Sequence, residues 1–296
     1  MTPGSKFVDA GGIQLHYLEW PGDGPTALLL HGRGLCAQVW TPTAEALSSR
    51  FQVLAMDLRG HGDSEKPDDQ YEWEDVAPDL KGFIHALDLS RVFLVAHSRG
   101  AVLATLGGAR VAERIAGAVI IEPGIPGPNA SPDASSYRSK ATRIAGSRRA
   151  VWPSRDQIFQ RYSDADTFKR WREDILWAYI EGGTFVREDG QVELKCTPTI
   201  EAQFSMAVAS QDMIDGLSRI DFPVLHITSD NPGRFPDASP GLRVIRDSAP
   251  SFEHLVMPDA GHFIPQEKPE ELEREIRRFV ESDVMAPRIQ RNVKTG

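Results

Sequence analysis

Short, wholly apolar runs recur along the chain with amphipathic stretches between them, and this alternation constrains its fold more than any other feature. Thr26 to Leu30, Phe51 to Met56, Val92 to Ala96, Ala118 to Ile121 and Val224 to Ile227 are runs of this kind, each ended by Gly-rich or charged residues. Such runs read as strands buried on both faces. Between them, Glu74 to Leu87 sets Val76, Leu80, Phe83, Ile84 and Leu87 on one helical stripe, and Pro269 to Val280 does the same with Leu272, Ile276 and Phe279. Strands that alternate with helices predict an α/β architecture: a mainly parallel central sheet flanked by helices. The N-terminal pieces differ, because Lys6 to Val8 and Ile13 to Glu19 flank Asp9-Ala10-Gly11-Gly12, whose paired glycines suit a tight hairpin.

The alternation stops between about Pro126 and Leu217, where no buried-strand run occurs and Trp152, Tyr162, Trp171, Trp177 and Tyr179 stand among charged residues. The expected organisation is therefore a core in two parts, 1–124 and 217–286, with a helical insertion over 125–216 and a mobile, aperiodic tail over 287–296. With 33 Lys plus Arg against 42 Asp plus Glu, the formal charge is −9, which argues against a general nucleic-acid binder. No apolar run approaches the ~20 residues of a membrane-spanning helix. Met1 to Lys6 lacks the organisation of a secretory signal, and only Cys36 and Cys196 are available for a disulfide, so a reduced, cytoplasmic protein is expected, as a monomer or homodimer. Neither cysteine has metal-like spacing, and both read as small buried hydrophobes. Within the insertion, Arg138, Lys140, Arg143, Arg148, Arg149, Arg155 and Arg161 outnumber Asp133 and Asp156, a local +5. Two readings stand: a solvated basic face, or attraction of an anionic substrate or partner.

The chemistry-bearing residues begin at Val95-Ala96-His97-Ser98-Arg99-Gly100, which follows a buried strand and precedes the helix-compatible Ala101 to Leu106. Ser98 then occupies a strand-to-helix turn. Such a turn crowds its flanks and demands small residues two before and two after, and Ala96 and Gly100 meet the demand. It also sets the Arg99 N–H at a helix start, facing a developing oxyanion.

With these residues the sequence resembles the α/β-hydrolase superfamily over nearly the whole chain apart from insertion and tail. Three further segments carry the resemblance. His31-Gly32-Arg33-Gly34 directly follows a strand, as that family's oxyanion loop does, which implies that the Arg33 N–H is the second oxyanion donor. Asp57-Leu58-Arg59-Gly60-His61-Gly62-Asp63-Ser64 is similar to the Gly-rich loop after the next strand, and Ala260-Gly261-His262-Phe263 to the late histidine loop. His262 is the base, since an unactivated serine needs an imidazole to take its proton. His31 and His61 are expected to support their loops, and His97 to point away from Ser98.

Two carboxylates compete to orient His262. Most of the superfamily uses the loop after the strand that is here Val224 to Ile227, and that loop offers Asp230, with Pro232 in the acid's usual place. Some branches, haloalkane dehalogenases and certain lactonases among them, place a Glu after the strand that follows the nucleophile helix, and Ile121-Glu122-Pro123-Gly124 provides one. Glu122 is taken as the acid and Asp230 as the alternative. The implied activity is cleavage of a small-molecule carboxylic ester or lactone through an acyl-enzyme, without a cofactor or metal, with the insertion as a cap. Ser98 argues against the Asp-nucleophile dehalogenases and epoxide hydrolases. Carbon–carbon bond hydrolases and perhydrolases share the serine relay, and the fold also serves as a non-enzymatic small-molecule receptor.

Overall fold

A computed structural model describes residues 2–125, 132–230, 239–285 and 288. The apolar runs form strands of one eight-stranded sheet: β1 (Gly4–Asp9), β2 (Gln14–Trp20), β3 (Thr26–Leu30), β4 (Gln52–Met56), β5 (Val92–His97), β6 (Ile115–Ile121), β7 (Val224–Ser229) and β8 (Phe252–Met257). Their spatial order is β1-β2-β4-β3-β5-β6-β7-β8. β1 and β2 pair antiparallel, as do β2 and β4, and every later pairing is parallel. Gly11 and Gly12 close the first hairpin at φ +91° and +99°, where only glycine is unstrained, and Asp9 Oδ1 accepts both of their N–H groups.

The side-chain period of a strand explains why the runs are apolar throughout. Leu28, Leu30, Leu94 and Ala96 face one core layer, while Ala27, Leu29, Phe93 and Val95 face another. The first layer is covered by helices α1 (Trp73–Ala86) and α2 (Arg99–Gly108), through Val76, Leu80, Phe83, Ala101 and Leu103. On the second layer lies the C-terminal amphipathic helix Pro269–Val280, which contributes Leu272, Ile276 and Phe279. With both faces covered, no strand position in mid-sheet meets water, so alternation is lost.

The segment between β6 and β7 holds helices α3 (Pro132–Gly146), α4 (Arg155–Ser163), α5 (Glu173–Gly182) and α6 (Pro198–Met206). It is not purely helical, as the sequence suggested. Val151–Trp152, Thr184–Val186 and Val192–Leu194 pair into a small antiparallel sheet, and strands of two or three residues are too short to show a period. Residues 126–131, the Pro232-Gly233 bend, the side chain of Arg138 and the expected tail apart from Arg288 lie outside the described residues. Among the described residues no helix is long and apolar enough to cross a membrane.

Candidate active site

The ends of β5, β6 and β8 assemble the site. Ser98 stands between the last residue of β5 and the first of α2 with φ +53° and ψ −115°, a conformation that L-residues seldom adopt and that persists only where its surroundings enforce it. The enforcement is visible. The Ser98 N–H donates to Ile121 O of β6 at 2.8 Å, and its carbonyl accepts the N–H groups of Ala101 and Val102 as the helix begins. A Cβ at Gly100 would lie 2.4 Å from the Leu30 carbonyl oxygen and 2.5 Å from that of His31, so only glycine lets α2 pack this close to β3.

Glu122 repeats the pattern one strand further on. Its φ is +50°, and its N–H donates to Ile227 O at 2.9 Å. The carboxylate is buried; Oε1 accepts the Ser229 N–H at 2.5 Å and Oε2 lies 3.2 Å from His262 Nδ1. Burial works against its ionisation, but the His262 hydrogen bond, the Ser229 N–H and the histidine's charge outweigh that penalty and hold its pKa below the ordinary glutamate value. The other ring nitrogen of His262, Nε2, is 3.0 Å from Ser98 Oγ. With Nδ1–H donating to the carboxylate, Nε2 carries the free lone pair and faces the hydroxyl.

The alternative acid is elsewhere. Asp230 is exposed and accepts the Asp259 N–H at 2.8 Å, so it braces the loop that leads to His262, while Glu122 meets the ring.

The turn after β3 lies against Ser98: a Cβ at Gly32 would touch Ser98 Cβ at 3.3 Å. The carbonyl of Gly32 accepts from His31 Nδ1 at 2.8 Å and from the Leu35 N–H at 3.2 Å. Peptide planarity then aims the Arg33 N–H, on the opposite edge of the same peptide, away from those donors. His61 supports the next peptide by accepting the Gly34 N–H on Nε2 at 2.9 Å, while its Nδ1 donates to Arg59 O. Burial foremost, with the neighbouring His31, lowers the His61 pKa to about 3 and keeps the ring neutral.

Several contributors carry no sequence signal. The His97 ring packs on that of His262 with centroids 5.0 Å apart, and its Nε2 donates to the His262 carbonyl at 2.8 Å. Glu267 accepts the N–H groups of both Gly261 and Phe263, bracketing His262, and is itself paired with Arg170 of the insertion. The side chains of Arg33 and Arg99 both reach α6, at Ser205. Among the described residues, His16, Asp57 and Asp63 offer a group with metal-ligand spacing. Asp57 is already engaged there by His16 and by the N–H groups of Ala37 and Asp63, a saturated structural carboxylate. Cys36 and Cys196 are buried and free.

A strained strand-to-helix serine, a histidine loop after the last strand and a parallel sheet with a β6–β7 insertion define a hydrolase architecture, and comparison with known proteins identifies it. The alpha/beta hydrolase family profile matches residues 27–275, and the chain belongs to that family; it is a hydrolase. It is 27% identical over 283 residues to 2-(acetamidomethylene)succinate hydrolase of Mesorhizobium japonicum, spanning 94% of this chain and 95% of that protein. It is 35% identical over 122 residues to N-formylmaleamate deformylase of Pseudomonas putida, covering 41% of this chain and 46% of the relative. A crystal structure of E-2-(acetamidomethylene)succinate hydrolase superposes with a TM-score of 0.79 at 25% identity, covering 95% of this chain and all of that one.

Proposed function

We propose that this hydrolase works by acyl transfer, with Ser98 as nucleophile, His262 as general base and acid, and Glu122 as the carboxylate that fixes the imidazole. The observation that carries the reading is one ring bridging two partners: His262 Nε2 at 3.0 Å from Ser98 Oγ and Nδ1 at 3.2 Å from Glu122 Oε2. Ser98 Oγ attacks the acyl carbon as its proton passes to Nε2, and the imidazolium is stabilised by Glu122. The carbonyl oxygen takes the negative charge and is met by the N–H groups of Arg33 and Arg99. Collapse expels the leaving group with the proton from Nε2, and water, activated by the same nitrogen, releases the acid and restores Ser98. No cofactor enters these steps.

The substrate proposed is a small carboxylic ester or lactone, chosen by the 125–216 segment acting as a cap. A second reading is favoured by the relatives, which are named for acids bearing an acetamido or a formyl group and not for simple esters. In that reading the same relay cleaves an acyl–nitrogen or carbon–carbon bond of a carboxylate-bearing substrate. The test is a panel of esters, lactones, N-acyl amides and 1,3-diketones, with and without a carboxylate, combined with mass spectrometry for acyl-Ser98. An acyl adduct and preference for esters support the first reading, and preference for carboxylate-bearing amides or diketones the second. No turnover, together with no labelling of Ser98 by a fluorophosphonate, overturns both in favour of a binding module.

A further inference from the structure

Gly34, at the end of the oxyanion turn, has φ +73° and is held from two sides by different parts of the molecule. Its N–H is taken by His61 of the core. Its carbonyl accepts the Tyr179 hydroxyl of α5 at 2.9 Å, a contact across 145 residues of sequence. The direction of that bond is fixed by chemistry. Arg148 Nη2, which can only donate, reaches Tyr179 Oη at 2.9 Å and Tyr162 Oη at 3.0 Å, so the Tyr179 proton is left for Gly34. Burial raises the Tyr179 pKa against the lowering pull of Arg148, and the phenol remains a donor at any working pH.

The other end of Arg148 pairs with Glu201 of α6, whose carboxylate is mostly buried. That carboxylate sits on the turn itself: a Cβ at Gly34 would lie 3.0 Å from its Cδ. Glu201 also faces Arg33 Nε at 3.7 Å. One turn along α6, Ser205 Oγ accepts Arg33 Nη1 at 2.5 Å and Ser205 O accepts Arg99 Nη2 at 2.9 Å. The two residues whose N–H groups are the proposed oxyanion donors thus send their side chains to one helix of the insertion.

We propose that Tyr179, Arg148 and the Glu201–Ser205 stretch of α6 are positioning residues for the oxyanion hole, so that seating of the insertion on the core sets the reactivity of Ser98. The proposal rests on the serine-hydrolase reading above. Misplacing an oxyanion donor by a fraction of an ångström weakens transition-state binding and leaves ground-state binding nearly intact, which distinguishes this role from a packing role or a substrate contact.

The test compares wild type with Tyr179→Phe, which removes one oxygen and keeps the buried ring, and Glu201→Gln, which keeps the shape of the side chain. Ser98 labelling by a small alkyl fluorophosphonate, p-nitrophenyl acetate hydrolysis and inhibition by a phenylboronic acid are read beside thermal unfolding. The expected result for each variant is a kcat about tenfold lower with KM within about twofold, and slower labelling and weaker boronate binding in proportion. Glu201→Asp, which retains the charge, should recover part of the kcat. Normal kcat and labelling in folded variants overturn the proposal, and so does a rise in KM at unchanged kcat. Should Glu201→Gln unfold, Tyr179→Phe decides alone. Failure of wild-type Ser98 to label at all is a separate result, which removes the serine-hydrolase reading and this inference with it.

Discussion

Ser98 and Glu122 leave the ends of neighbouring parallel strands, each at positive φ and each stitched by its own N–H to the next strand of the sheet. His262 is supported differently. Its loop follows β8 and is placed by side chains: Glu267 on either side of it, His97 beneath its carbonyl, and Arg170 reaching in from the insertion. Ser98 and Glu122 therefore share the rigidity of the sheet, while His262 depends on contacts that single substitutions remove. The contrast teaches where the site is fixed and where it is adjustable, since backbone pairing in a covered sheet is among the last structure to open, and exposed ion pairs among the first.

Four experiments break or sharpen this contrast, in falling order of expected effect. Ser98→Ala should fold normally and lose about 10⁴-fold or more in hydrolysis, because members of a relay act as a unit; activity near wild type would remove Ser98 from the chemistry. Glu122→Gln should lower kcat by about 10²-fold or more, since the amide no longer holds the imidazole's tautomer and charge. Asp230→Asn should stay within about threefold, as its carboxylate accepts a loop N–H, and the reverse ranking in folded variants would reassign the acid.

Glu267→Ala should cost kcat roughly tenfold by loosening the histidine loop, with fluorophosphonate labelling of Ser98 slowed to match. Arg170→Ala, which removes the half-exposed partner of Glu267 together with its contacts to Asp259, should cost less than about threefold, and the difference should shrink in high salt. Equal losses for the two variants would mean that the insertion, and not Glu267, places the base.

The last experiment concerns acid. His61 is neutral in the fold with a pKa lowered to about 3, against about 6.5 in an unfolded chain, so unfolded molecules take up the proton first as pH falls. Its contribution is complete above about pH 6.5 and is lost progressively down to about 3. Melting temperature should decline over that window in wild type and decline less in His61→Gln; parallel curves would show that His61 does not link the oxyanion turn to pH.

Much of this was legible because strand-end chemistry is local. A buried run, a serine with small flanks and a helix fit within fifteen residues, and Ser98 follows from them; Glu122 and His262 were legible as positions after further strands. The bracing groups were not. Tyr179 and Arg148 are 31 residues apart, Arg148 and Glu201 53, with no period connecting them. Arg148 also shows how a charge count misleads: in sequence it belongs to a basic run, and in the fold it lies within an ion pair beneath two tyrosines. Window sums register charge and are blind to burial, and the partner that neutralises this arginine comes from α6.

The hydrogen bond from His262 to Glu122 joins residues 140 apart, and that between His262 and Ser98 joins residues 164 apart, with the whole insertion threaded between them. Contacts of such long sequence separation are the slowest to form, because a large loop must close before they return any free energy. The sheet up to β6 and its helices can assemble earlier from nearer neighbours, presenting a strained serine that has no base. If assembly follows that order, recovery of turnover during refolding should lag behind recovery of helical circular dichroism, and coincident recovery would show that the sheet and the His262 loop form together. Hydrolysis would then be a late reporter of folding, completed by the arrival of β8 and the loop that follows it.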